Sequence, residues 1–117
     1  MNNILEAKHC FQQNKYALMK KVLSSDLVEY LNHCIQFFVE KGAIAPSDPG
    51  IVPVVGDYPK DGYAVFPCEM ILLHVQKFME EITGKNLIPT YSFVRIYGQG
   101  NSLKKHTDRP SCEYSAT

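Results

Sequence analysis

Several features that would place a protein by composition alone are missing from this chain. No apolar stretch in its 117 residues approaches the roughly 18 residues of a membrane-spanning helix, which argues against a membrane protein. The N-terminus, Met1 to Glu6, has neither the basic start nor the apolar core of a secretion signal. Charge of one sign is missing too. Lys and Arg total 12 and Asp and Glu total 12, with no basic run in either half, so the electrostatic case for a nucleic-acid or membrane-surface partner falls away. The four cysteines, Cys10, Cys34, Cys68 and Cys112, form no C-x-x-C pair and stand far apart. With no secretion signal beside them they are expected to be free thiols, and the chain is expected to be cytoplasmic. Neither an internal repeat nor a low-complexity segment is visible.

What is present is enough apolar sequence for one small domain, with hydrophobic residues at 45% and charged residues at 21%. Lys15 to Lys20 is compatible with a short edge strand. Ser24, Ser25 and Asp26 supply helix-capping side chains, with Glu29 in the reciprocal position. Behind them Leu27, Leu31, Cys34, Ile35 and Phe38 recur at helical spacing until Lys41 and Gly42, so a helix is expected over 26–41. Residues 42–64 hold four of the seven prolines and four of the seven glycines and read as a long loop, extended at Ile51–Val55. Loops of that length in small domains often carry function, and Tyr58 and Tyr63 make this one a candidate substrate edge. A second helix is expected over 67–82, with Pro67 in its first turn, a stripe of Ile71, Val75, Phe78, Met79 and Ile82, and Gly84 as its stop.

After that the period changes. From Ile88 to Tyr97 β-formers alternate, with Tyr91, Phe93, Arg95 and Tyr97 on one face and Ser92, Val94 and Ile96 on the other. Gly98 to Asn101 reads as a turn, and Leu103–Thr107 and Cys112–Thr117 as short strands. The expected class is α+β in a single domain: a helical lead-in over 1–86, then the first strands of a β-core over 87–117, with the chain stopping in mid-sheet.

One constellation carries chemistry. His106 and Asp108 are separated by one residue on a segment expected to be extended, so both side chains point the same way and can meet one ion. An imidazole and a carboxylate are two of the three ligands of the facial triad that leaves coordination sites open on ferrous iron. On spacing alone the signal is weak, and solvated turn residues beside Lys104, Lys105 and Arg109 are the better reading of the pair.

The wider context resembles a known family. Leu87 to Tyr97, then Gly98, Gly100, Leu103, His106, Asp108, Arg109, Pro110, Cys112, Glu113, Ser115 and Thr117, is similar in order to the first half of the iron(II)- and 2-oxoglutarate-dependent oxygenases of prolyl 4-hydroxylase type. Tyr16 to Lys20, the capped helix and Glu80 to Gly84 resemble that family's helical lead-in. The resemblance implies helices packed on part of a double-stranded β-helix (a jelly roll) whose C-terminal strands are missing. It implies Fe(II) bound by His106 and Asp108, 2-oxoglutarate as cosubstrate with Tyr97 at its distal carboxylate, O2, and a small-molecule or peptidyl substrate. Core packing is the other reading of Tyr97. Arg95 lines the pocket or stands on an exposed sheet face, and Arg109 meets substrate or closes a local ion pair.

The family also has a distal His ligand and a basic residue for 2-oxoglutarate on later strands, and neither has a counterpart here. His33 and His74 fall in expected helices, and His9 in a weakly patterned segment. The expectation is therefore a dioxygenase fragment, incomplete for catalysis as it stands. The alternatives are a non-catalytic remnant or interaction module, and a metal-binding domain completed by a partner chain through a residue such as His9.

Overall fold

The computed structural model describes residues 3–48, 50–52 and 65–117. Three helices dominate them: α1 (Ile4–Asn14), α2 (Ser25–Glu40) and α3 (Phe66–Thr83). Two short strands, β1 (Ile51–Val52) and β2 (Ser102–Leu103), pair in parallel with Ile51 opposite Ser102 and Val52 opposite Leu103.

Each helix begins and ends for local reasons. Asn3 caps α1, its side-chain oxygen accepting from the Leu5 amide at 2.9 Å. The helix stops at Lys15, which takes a left-handed conformation at φ 65° and donates its amide to the Phe11 carbonyl. Ser24 Oγ accepts from Leu27 N at 3.3 Å to start α2. Pro67 sits in the first turn of α3, where a missing N–H costs nothing, and Gly84 closes it at φ 70°. Both expected helices form within a residue of their expected ends.

The helix that composition did not announce is α1. Asn3 with Glu6 three residues on is a capping pair, and Ile4, Ala7 and Phe11 share one face. That face packs along α3, and α2 meets α3 more lightly. Ala7 is fully buried there, a small side chain that lets two helix backbones approach. Ile44, just beyond α2, is 2% exposed and its amide donates to the Phe38 carbonyl at 3.3 Å. Among the described residues these two are the buried apolar core, while the stripes of α2 and α3 are half-buried throughout.

The jelly-roll expectation is not met. The described residues are mostly helical, and their only sheet is the two-residue pairing of β1 with β2. No edge strand forms at 15–20, where the chain leaves the α1 cap in coil. From Tyr91 to Tyr97 the alternation holds only in part: Ser92, Val94 and Ile96 are half-buried and Phe93 and Tyr97 exposed, but Tyr91 and Arg95 are half-buried too. Among the described residues the segment forms no ladder beyond an isolated bridge at Phe93. The reason lies in where its backbone groups go. The Ser92 amide donates to the Glu69 carboxylate at 2.6 Å, and the Ile96 carbonyl accepts from Ser47 N at 2.9 Å. A strand is defined by a hydrogen-bonded neighbour, and at these two positions a side chain and a loop take that place. Leu103–Thr107 contributes only its first residue to β2, and Cys112–Thr117 contains no strand.

Of the 42–64 loop, Ile51–Val52 is β1 as expected for an extended piece; Val55, Tyr58 and Tyr63 lie outside the described residues. Asn101 ties this loop to the turn after Tyr97. Its Oδ1 accepts from Gly98 N at 2.6 Å, and its Nδ2 donates to the carbonyls of Asp48 at 2.6 Å and Gly50 at 3.1 Å. The turn itself is as expected, with Gly100 at φ 84°.

Candidate metal centre

The segment from Leu103 to Cys112 leaves β2 without regular structure, and its side chains are mostly exposed. Within it His106 and Asp108 do meet. His106 Nε2 stands 3.6 Å from Asp108 Oδ1, with the two side chains 30% and 44% exposed. The far sides of both groups are engaged. His106 Nδ1 lies 2.8 Å from the Lys104 carbonyl oxygen, and Asp108 Oδ2 accepts from Ser115 Oγ at 2.6 Å.

These contacts fix which atoms are available. A carbonyl oxygen only accepts, so the Lys104 contact requires the proton on Nδ1 and, in a neutral ring, leaves the Nε2 lone pair free. Asp108 Oδ1 is an acceptor as well. Two acceptors facing one another are at odds unless a proton or a cation stands between them.

A first-row divalent ion at about 2.1 Å from each atom would subtend about 118° across that gap. An octahedral cis pair needs a separation of about 3.0 Å, so closing by about 0.6 Å, well within side-chain torsion, completes it. The pair thus fits an ion as two ligands. Among the described residues no third His, Cys, Asp or Glu joins them. His9 on α1, His33 on α2 and His74 on α3 are all exposed, and His74 packs its ring near Phe78 at 6.4 Å.

The neighbouring residues brace this segment. The Arg109 guanidinium lies over the Tyr91 ring at 4.7 Å and closes no ion pair among the described residues. Tyr91 also bonds to the Cys112 side chain, and that bond, followed by burial, holds its hydroxyl above the ordinary tyrosine range. Cys112 Sγ is 3.8 Å from Thr90 Oγ1. Arg95 is half-buried and stacks on Phe93 at 4.8 Å. Tyr97 is 47% exposed and is not packed in a core, which leaves its ring accessible to a ligand.

Sequence reasoning singled out His106 and Asp108 but not what holds them. Ser115, seven residues beyond Asp108, and the Lys104 carbonyl were not assigned roles. Backbone acceptors carry no side-chain signature, and a serine in a segment expected to be a strand gives no sign of its partner.

A concavity lies elsewhere, between the N-terminal halves of α2 and α3, lined by Leu27, Tyr30, Leu31, Met70, Ile71 and His74 among others. It is apolar and offers no converging pair of chemical groups. The nearby Cys68 thiol is pushed up, first by burial, which disfavours a reactive thiolate, and all four cysteines are free. No helix among the described residues is long and apolar enough to cross a membrane. Searches against family models, curated proteins and solved structures match nothing to this chain.

Proposed function

We propose that the chain carries the proximal half of the iron site of a 2-oxoglutarate-dependent oxygenase, with His106 and Asp108 as two ferrous ligands. The observation that carries this reading is the approach of His106 Nε2 to Asp108 Oδ1 at 3.6 Å, with the other ring nitrogen, Nδ1, 2.8 Å from a backbone carbonyl. That is how metal-binding histidines are commonly oriented: a second-sphere acceptor on one ring nitrogen sets the tautomer and turns the other toward the ion. The order of residues from Leu87 to Thr117, which resembles the prolyl-hydroxylase type, supplies the identity of the metal and cosubstrate. Tyr97 is the group assigned to the distal carboxylate of 2-oxoglutarate.

When bound, ferrous iron and O2 supply the oxidative decarboxylation of 2-oxoglutarate that drives hydroxylation of a C–H bond in a small-molecule or peptidyl substrate. The chain's own part is to hold two ligands and keep the remaining positions open. Two protein ligands by themselves hold a ferrous ion weakly.

A second reading has a specific observation in its favour. Among the described residues no third His, Cys, Asp or Glu joins the pair, which suits a non-catalytic module in which His106 and Asp108 simply contact each other.

Anaerobic ferrous titration by calorimetry separates the two. The oxygenase reading expects binding that His106→Ala and Asp108→Ala each abolish. It also expects 2-oxoglutarate to raise ferrous affinity, with ferrous ion raising 2-oxoglutarate affinity by the same factor. Absence of binding, or binding indifferent to both substitutions, overturns the metal site. Binding without coupling to 2-oxoglutarate overturns the oxygenase.

A further inference from the structure

We infer that Ser115 is a positioning residue for this site: its hydroxyl occupies one carboxylate oxygen of Asp108 so that the other alone faces the metal. The inference rests on the iron-site reading above and adds a residue to it.

The geometry is direct. Ser115 Oγ donates to Asp108 Oδ2 at 2.6 Å, the short distance of a charge-assisted hydrogen bond, while Oδ1 is the atom that faces His106 Nε2 at 3.6 Å. A free aspartate would not hold that pose. Its terminal torsion is sp³–sp², with broad and shallow wells, so the carboxylate plane turns easily unless something fixes it. Two oxygens presented together would occupy two positions of an octahedral ion. One oxygen presented alone occupies one and leaves the others for cosubstrate and O2.

Ser115 is itself placed from behind. Its neighbour Tyr114 is half-buried and packs its ring against Phe11 of α1, with centroids 6.1 Å apart. The Cys112 amide donates to the Arg109 carbonyl at 2.8 Å, turning the chain back toward Asp108. A line of contacts thus runs from the helical layer through Tyr114 and Ser115 to the ligand. His106 has the matching support in the Lys104 carbonyl, so each ligand is oriented by one group of its own segment.

The test uses Mn(II) as an oxygen-stable probe, with bound ion read from the loss of the free-ion paramagnetic resonance signal. The full chain is compared with Ser115→Ala, Ser115→Thr and Ser115→Val, and with His106→Ala and Asp108→Ala as site controls. Loss of a second-sphere partner of this kind lowers metal affinity by about 10- to 100-fold. Ser115→Ala and Ser115→Val are expected to show that loss, and Ser115→Thr, which keeps the hydroxyl, to bind like the natural chain. Thr and Val have the same shape, so their difference reads the hydrogen bond rather than packing or folding. Equal binding by Thr and Val variants, with the site controls still abolishing it, overturns the role of Ser115 and leaves the metal site standing. Mn(II) binding that is absent, or that survives His106→Ala and Asp108→Ala, overturns the site and the inference with it.

Discussion

Along α3, half-buried Ile71, Val75, Phe78, Met79 and Ile82 line up with no polar tether needed to place them. From Leu87 onward polar side chains fix several points, Glu69 to Ser92 and Asn101 to Asp48 and Gly50 across the molecule, and Ser115 to Asp108 within the segment. The helical layer is held by non-directional apolar contact, and the C-terminal segment by directional bonds. The difference suits a site. Apolar packing tolerates small displacements, whereas a hydrogen bond weakens steeply when its geometry is lost, and metal ligands need the second kind of control.

Substitutions in each region test that contrast. The largest effect is expected from Ile44→Ala, which opens a cavity at one of the two buried apolar positions and should cost about 3 kcal/mol. In urea denaturation followed by helical circular dichroism, the midpoint should fall for the whole chain. An unchanged midpoint would mean that the packing beside α2 does not carry the fold.

Glu69→Ala comes next. It removes the acceptor for both the Ser92 amide and the Ser92 hydroxyl, each at 2.6 Å, and should cost about 2 kcal/mol. The loss should be local: amide exchange should rise through 91–97 while the signals of α1 and α2 hold. A uniform loss in every element would show that the two regions unfold together and that the contrast is one of geometry alone.

The same contrast governs what could be read from the residues. The ends of α2 and α3 were legible because a capping Ser24, a first-turn Pro67 and a terminal Gly84 act within a few residues of themselves. The start of α1 is written in the same terms, in Asn3 and Glu6, but its short apolar face gives a weak periodic signal. The alternation from Tyr91 to Tyr97 was legible too, but the structure keeps it only in part, with Tyr91 and Arg95 half-buried like Ser92, Val94 and Ile96. Whether an alternating segment becomes a strand depends on a neighbour the segment does not encode. For the site, one-residue spacing brought His106 and Asp108 together, but the partners behind them, a carbonyl at Lys104 and a hydroxyl at Ser115, depend on the path of the chain.

Asn101→Ala should have a smaller effect, about 1 kcal/mol, because its three bonds lie at the surface where water replaces them. What sharpens the comparison is where that loss falls. Asn101 clamps the loop bearing β1 to the turn before β2, so the Gly98 and Ser102 amides should exchange faster while the Ser92 amide is unaffected. Faster exchange at Ser92 as well would join the two tethers into one cooperative unit.

The smallest effect is expected at the junction of the two regions, and it is a dependence on pH. Glu80, in the last turn of α3, accepts from the Leu87 amide at 2.9 Å and from Gln76 Nε2 at 3.2 Å, while Gln76 Nε2 also donates to the Leu87 carbonyl at 3.0 Å. The Leu87 bond first, and then the Gln76 bond, hold the Glu80 carboxyl below its ordinary value. A carboxyl depressed in the folded state binds fewer protons there than in the unfolded chain. Its contribution is therefore present above the ordinary glutamate range and is lost as pH falls through the depressed value. In Glu80→Gln the neutral amide still accepts from Leu87 but has no proton to take up. Acid titration of stability should lose a small step for this variant relative to the natural chain, with the two curves converging at the acid end. Parallel curves across that window would mean that the clasp between α3 and Leu87 owes nothing to charge.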